Sequence, residues 1–271
     1  MKQVKAKKQL GQHFLTDLGI ARRIADTVDS CPDIPVLEIG PGMGVMTQYL
    51  KQKQRPFKVV EIDKESVDYL AERWPDFTPQ VISGDFLRMD LTKVFDGKQF
   101  VLTGNYPYDI SSQIFFKMLD NKELIPCCTG MIQREVALRI ASEPGTKAYG
   151  ILSVLIQAWY DTEYLFTVDE NVFNPPPKVK SAVIRMTRNA VTDLGCDEKL
   201  FCRVVKTVFN QRRKMLRVSL KQIFNGTNPG SSEFFAHEIM TQRPEQLTVQ
   251  QFVELTNMVE SELAKHNQSP E

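Results

Sequence analysis

Val36-Leu37-Glu38-Ile39-Gly40-Pro41-Gly42-Met43-Gly44 is the stretch on which the fold turns. A short strand-forming run enters three glycines at alternate positions, and a helical pattern follows over residues 45–53. Glycines so placed let a backbone turn tightly and come close to a bound small molecule, while the following helix start offers free N–H groups. The spacing is not G-x-G-x-x-G, which weakens the case for a pyrophosphate-bearing dinucleotide.

Reading outward, residues 57–62 form a second strand with Glu61 at its end and Asp63 just after. An acidic residue about 20 positions beyond a glycine loop is placed to accept from both ribose hydroxyls of an adenosine cofactor. A third strand at 81–83 closes on Gly84-Asp85, where Asp85 is either an acceptor for an adenine amino group or a turn and N-cap residue. A fourth, Phe100-Val101-Leu102-Thr103, stops at Gly104-Asn105-Tyr106-Pro107-Tyr108. Strands alternating with helices predict an open, mostly parallel sheet, and ligands bind at the carboxyl ends of such strands.

Asn105, Tyr106, Pro107 and Tyr108 suit one chemistry, attack by the exocyclic amino group of a nucleobase. The Asn105 side-chain carbonyl accepts from one N–H and the Tyr106 backbone carbonyl from the other. Pro107 fixes φ and withholds a donor, and Tyr108 supplies a flat face for an extruded base. The competing reading is a turn that closes a strand. Further on, a helix at 111–119, a fifth strand at 127–132, helices at 134–140 and 151–159, and strands at 164–168 and 182–186 complete the sheet. Phe173 stands before Pro175-Pro176-Pro177, a stiff rim segment, and reads as a second stacking surface or as a core aromatic.

A composition shift at 189–198 divides the chain into a domain over 1–190 and a helical domain over 191–271, with helices at 199–209, 211–224, 233–240 and 249–264. Two basic clusters stand out. Lys2, Lys5, Lys7 and Lys8 form a tail, and Arg212, Arg213, Lys214 and Arg217 lie on the 211–224 segment, with Arg213 and Arg217 on one helix face. Each is either a solvated surface or a set of phosphate contacts. Charge over the whole chain is balanced, with 34 Lys and Arg against 33 Asp and Glu, so any nucleic-acid footprint is local. Five cysteines without a C-x-x-C pair and three histidines point to neither a disulfide framework nor a metal centre. No run approaches a membrane span and residues 1–15 lack an apolar signal core, so a soluble, cytoplasmic, monomeric protein is expected.

Taken together, Gly11-Gln12-His13-Phe14-Leu15, Glu38-Ile39-Gly40-Pro41-Gly42, Val60-Glu61-Ile62-Asp63, Gly84-Asp85, Asn105-Tyr106-Pro107-Tyr108, Pro175-Pro176-Pro177-Lys178-Val179, Ser181-Ala182-Val183 and Phe209-Asn210-Gln211-Arg212-Arg213-Lys214 resemble the KsgA-type small-subunit ribosomal RNA adenine N6-dimethyltransferases. The resemblance implies a seven-stranded, mostly parallel, Rossmann-like methyltransferase sheet followed by a small helical domain. It implies S-adenosylmethionine as cofactor, held by His13, Leu15, Gly40, Gly42, Glu61, Asp85 and Asn105. Two adjacent adenosines near the 3′ end of small-subunit RNA, within an assembling subunit, are the implied substrate, with Lys7, Lys8, Arg212, Arg213, Lys214 and Arg217 as RNA contacts. That family usually has Leu where Tyr106 stands, and often Asn in place of His13. The related large-subunit enzymes of the macrolide-resistance type share the glycine loop and an Asn-x-Pro-aromatic motif, but the triple proline and residues 210–214 favour the small-subunit group. A non-catalytic assembly factor keeping the same scaffold is the other alternative.

Overall fold

The computed structural model describes Val4, Ala6, Lys7, residues 10–224 and residues 232–268. Lys2, Lys5 and Lys8 of the basic tail lie outside the described residues, as does the loop at 226–230.

Nine strands and ten helices follow in chain order among the described residues: β1 (Phe14–Leu15), α1 (Leu18–Asp26), β2 (Val36–Ile39), α2 (Thr47–Leu50), β3 (Phe57–Glu61), α3 (Lys64–Arg73), β4 (Val81–Ser83), β5 (Val101–Asn105), α4 (Ser111–Asp120), β6 (Cys127–Gln133), α5 (Arg134–Ile140), α6 (Ile151–Gln157), β7 (Tyr160–Val168), β8 (Phe173–Asn174), β9 (Ser181–Arg188), α7 (Glu198–Asn210), α8 (Leu216–Ser219), α9 (Ser232–Ala236) and α10 (Val249–Gln268). Short 3₁₀ turns join several of them. Seven strands form one sheet in the order β4-β3-β2-β5-β6-β9-β7. The first five run parallel, and β9 pairs antiparallel with both β6 and β7. Order reverses where β2 is flanked by β3 and β5, which opens a crevice at their carboxyl ends.

Burial follows from sequence pattern. β2 and β6 are almost wholly buried, and apart from Glu38 in β2 and Gln133 at the end of β6 they carry apolar or small side chains, as covered parallel strands require. α1 begins at Asp17, whose side chain accepts from the Ile20 N–H at 2.9 Å, and turns Ala21, Ile24 and Ala25 inward. These join Val28, Leu50, Val59 and Leu70 in the main core.

The chain divides into two compact units, one of residues 1–138 and 160–189, the other of residues 139–159 and 190–271. The second unit thus includes residues 139–159, which the sequence reading placed in the first domain. Within it, α7 starts at Asp197, which accepts from the Leu200 N–H, and buries Phe201, Val204, Val205, Val208 and Phe209 at helical spacing. Phe209 packs against Tyr149 and Phe252. α10 opens with a reciprocal cap, in which Thr248 Oγ1 accepts from the Gln251 N–H and Gln251 Oε1 from the Thr248 N–H.

Three local expectations are corrected. Residues 211–224 are not one helix: Gln211 leaves helical geometry (φ −119°, ψ 42°), Met215 is extended, and the Leu216 N–H donates to the Gln242 carbonyl at 2.9 Å. Arg213 and Arg217 therefore do not share a helix face. Cys31 and Cys127, 96 residues apart, form a disulfide, where no pairing was expected. Folding brings the turn after α1 under the start of β6, and spacing along the chain carries no sign of that. Finally, β1 and β8 form a two-stranded sheet that the sequence pattern did not predict. Two residues are too few to show alternation.

Candidate active site

The crevice at the carboxyl ends of β2, β3, β4 and β5 is a cleft with about 1010 Å³ of empty space, its open mouth included. Its floor is the 40–44 loop. Gly40, Gly42 and Gly44 all have positive φ (64°, 52° and 74°), a conformation that side-chain-bearing residues rarely adopt. A Cβ added at Gly42 would meet the Phe14 ring at 3.0 Å, so β1 closes down on the loop. At Gly40 it would meet nothing within 4 Å, leaving open space over the turn.

Glu61 ends β3 and is 4 % exposed. One oxygen accepts from the Gly42 N–H at 3.0 Å and the other from the Asp63 N–H at 2.9 Å. The carboxylate is thus aimed by backbone, and each oxygen keeps a lone pair for an outside donor. Burial pushes its pKa up, and these backbone bonds oppose the shift. Beneath it Glu38, accepting from Thr47 Oγ1 at 2.7 Å, is pushed up to about 8, first by burial and then by the neighbouring Glu61 charge. An open cradle over Gly40 and a fixed pair of acceptors at the end of β3 fit an adenosine-bearing cofactor such as S-adenosylmethionine. Asp85 also lines the cleft, but Oδ1 accepts from the Leu87 N–H at 2.9 Å and Oδ2 lies 3.4 Å from Arg88 Nε. The turn reading of Asp85 is therefore realised, with lone pairs left over.

At the end of β5, Asn105 Nδ2 donates to the His13 carbonyl at 3.2 Å. That bond turns the Asn105 side-chain oxygen the other way, and no described residue donates to it. The Tyr106 N–H donates to the Met131 carbonyl at 3.0 Å, while the Tyr106 carbonyl has no donor among the described residues. Two neighbouring acceptors are thereby left free at the cleft. The Tyr106 ring turns down into the core, 1 % exposed, with its hydroxyl on the Thr129 carbonyl and beside Cys128 Sγ, each at 3.1 Å. Gly104 and Gly130 make room, since a Cβ on either would meet the Tyr106 ring and neighbouring backbone. The residue that departs from Leu therefore changes the packing below the site while its carbonyl stays without a donor among the described residues. Pro107 holds φ at −57° and leads into the Tyr108–Ile110 turn. Tyr108 is fixed by Ser181 Oγ through its hydroxyl and stacks on the His13 ring, centroids 5.6 Å apart; His13 Nδ1 in turn meets the Pro175 carbonyl at 2.8 Å.

Leu10 to Leu15 line the same cleft, so the segment before α1 is docked. Phe173 is not part of this wall. It is 4 % exposed, paired with Leu15 across β1 and β8 and packed in the main core, because strand alternation turns it inward and Asn174 outward. The stacking role expected for it is corrected to a core role. Lys7 is likewise no free phosphate contact: its Nζ lies 2.6 Å from Asp63 and 3.2 Å from Glu65. The Asp63 bond leads the causes that raise its pKa. Asp63, to which the sequence analysis gave a place after Glu61 but no role, is the N-cap of α3 and the partner of Lys7. In the second unit, Arg212 donates to the Thr146 carbonyl at 3.1 Å, whereas Arg213, Lys214 and Arg217 are exposed beside the exposed Met215 and Val218.

Comparison with known proteins agrees with this geometry. The family model described as ribosomal RNA adenine dimethylase matches residues 3–261. Ribosomal RNA small subunit methyltransferase A of Phocaeicola vulgatus is 68% identical over 260 residues, covering 96% of this chain and 91% of that protein. The protein of the same name from Porphyromonas gingivalis is 57% identical, covering 96% of this chain and all of its relative. Among solved structures, a dimethyladenosine transferase from Plasmodium falciparum superposes with a TM-score of 0.76 at 22% identity, over 92% of this chain and 98% of that one. The 23S rRNA methyltransferase ErmE gives 0.62 at 26% identity, over 91% and 99%.

Proposed function

Because the chain belongs to the ribosomal RNA adenine dimethylase family, we propose that it transfers methyl groups to N6 of two adjacent adenosines near the 3′ end of small-subunit ribosomal RNA. S-adenosylmethionine supplies the electrophilic methyl group when bound in the cleft. The observation that carries the reading is the pair of free acceptors, Asn105 Oδ1 and the Tyr106 carbonyl, side by side at the end of β5.

An adenine amino group is a weak nucleophile because its lone pair is delocalised into the ring. Hydrogen bonds from its two N–H groups to Asn105 and Tyr106 draw the nitrogen toward a tetrahedral form and concentrate that pair. After methyl transfer the nitrogen is cationic and acidic, and it gives up its proton without a strong base at the site. Tyr108, braced by Ser181 and His13, offers a stacking surface for the extruded base. Gly40, Gly42, Glu61 and Asp85 bind the cofactor in this scheme, and Glu61 takes the ribose hydroxyls. Arg213, Lys214 and Arg217 contact phosphates and give affinity without sequence information. The substrate is an assembling small subunit in the cytoplasm.

The test is mass spectrometry of small-subunit RNA from particles lacking the modification, incubated with the protein and labelled cofactor, with large-subunit RNA as the control. Dimethylated adenosine in the small-subunit sample alone is expected. The likeness to ErmE is the reason for the control, and label in the large-subunit RNA would overturn the substrate assignment. No transfer to either would favour an assembly factor. Asn105→Ala should lose about 3–4 kcal/mol of transition-state stabilisation, on the scale of a lost oxyanion-hole donor.

A further inference from the structure

The strap that precedes α1 ties two parts of the cleft together through side chains outside the roles assigned so far. At one end Asp63, 3 % exposed, receives Lys7 Nζ on Oδ1 at 2.6 Å and Gln12 Nε2 on Oδ2 at 3.4 Å. The Asp63 N–H donates to Glu61, the carboxylate at the end of β3. Lys7 and the start of the strap are tied to each other: the Lys7 N–H donates to Gln12 Oε1 at 2.8 Å, and the Leu10 N–H to the Lys7 carbonyl at 3.0 Å. One residue further, the His13 carbonyl accepts from Asn105 Nδ2 at the end of β5. In the sheet, β3 and β5 are separated by β2, so the strap links two edges that the sheet itself does not bring together.

The orientation of Asn105 depends on that last bond. An amide group turned over would present N–H to the substrate amino group, donor against donor, and the nucleophile would be repelled rather than positioned. Nothing but the His13 carbonyl, among the described partners of Asn105, selects one orientation over the other. Asp63 meanwhile draws its hold on the strap chiefly from a single ammonium group. Burial alone would raise the Asp63 pKa, but the bonds from Lys7 and Gln12, with those from the Glu65 N–H and the Ser66 hydroxyl, outweigh it and keep the carboxyl below its ordinary range.

We propose that Lys7 is a positioning residue for methyl transfer: its clasp on Asp63 seats residues 10–13 so that the His13 carbonyl holds Asn105 with its oxygen toward the adenine amino group. The inference rests on the catalytic reading of Asn105 and assigns Lys7 to the cleft rather than to RNA phosphates. Because Asp63 also supports Glu61, the clasp acts on cofactor affinity as well as on turnover.

The test compares Lys7→Met and Lys7→Arg in the full-length protein. In Lys7→Met, calorimetry should show several-fold weaker S-adenosylmethionine binding. At saturating cofactor and RNA, kcat should fall by roughly 10- to 100-fold, the scale of a slightly misplaced catalytic group. KM for the RNA particle should stay unchanged, and the Leu10 amide of the cofactor-free protein should exchange faster. Lys7→Arg should restore each value, since it keeps the charge. Unchanged kcat and cofactor affinity in Lys7→Met would overturn the proposal, and a raised KM for RNA alone would make Lys7 a phosphate contact. Should the unmutated protein transfer no methyl group, the reading of function fails. The Leu10 exchange rate still decides whether Lys7 holds the strap.

Discussion

Glu38 and Glu61 stand one behind the other in the cleft floor, and their burial makes the molecule's stability depend on pH in a definite direction. Glu38, ordinarily 4.5, is pushed up to about 8, so between these values the folded chain holds a proton that the unfolded chain has released. Stability then falls as pH rises. The contribution of this proton is complete below the unfolded value and gone once pH passes the folded one. Glu61 is raised too, chiefly by burial, and adds a slope of the same sign. Denaturant titrations of the cofactor-free protein at about pH 5 and about pH 8 should show the loss, and Glu38→Gln should flatten it. An equal slope in that variant would refute the assignment to Glu38. Glu61 has a second consequence. In the proposed cofactor scheme Glu61→Ala removes two charge-assisted bonds to a ribose, each worth roughly 1.5–3 kcal/mol, so cofactor affinity measured by calorimetry should drop by roughly 100-fold or more. Glu61 was legible because a strand end and a glycine loop have a fixed separation in this kind of sheet. The Lys7 and Asp63 pair was not, since 56 residues separate two charges that each look like ordinary surface groups.

At the scale of elements, what the sequence made plain was whatever repeats. Strands β2, β3, β4 and β5 are visible as apolar runs ending at a Gly or an acidic residue, β6 as an apolar run alone, and α7 as an apolar face recurring every three or four positions. Elements fixed by single contacts escaped. β1 and β8 hold only two residues each, and α8 is set apart from α7 by one backbone bond to Gln242. Phe173 shows the cost of missing such a pair, for without β1 its place beside Pro175 suggests a rim and a base-stacking face. Paired with Leu15, it is core. Phe173→Ala should therefore destabilise the fold by roughly 3–5 kcal/mol in chemical denaturation, the range for a large buried aromatic. Phe173→Leu, which keeps most of the volume, should leave kcat close to the original. Tyr108→Leu should show the reverse, with near-normal stability and a marked loss of turnover. If Phe173→Leu lost turnover while remaining folded, the ring would be touching the substrate after all.

Over the whole molecule, 34 basic and 33 acidic residues nearly cancel, so attraction to RNA must come from where the charges are left unpaired. The structure thins the candidates. Lys7 is committed to two carboxylates, and Arg212 spends a donor on the Thr146 carbonyl. Among the described residues of the two basic clusters Arg213, Lys214 and Arg217 remain, exposed on the segment where the expected helix breaks into a turn, with Met215 and Val218 exposed among them. Three free cations gathered beside apolar side chains suit a phosphate backbone with bases or sugars close by. Each phosphate neutralised releases about 0.7–0.9 of a counterion, so the slope of log affinity against log salt counts such contacts. Arg213→Glu with Arg217→Glu should weaken binding to small ribosomal subunits and make that slope shallower by roughly two. Cofactor affinity and thermal stability should not change, because neither side chain has a partner among the described residues. Arg212→Ala, by contrast, should lower stability slightly and alter the salt slope less. A double variant that keeps both its affinity and its slope would show that this cluster is a solvated surface, and would move the search for the RNA contacts elsewhere on the molecule.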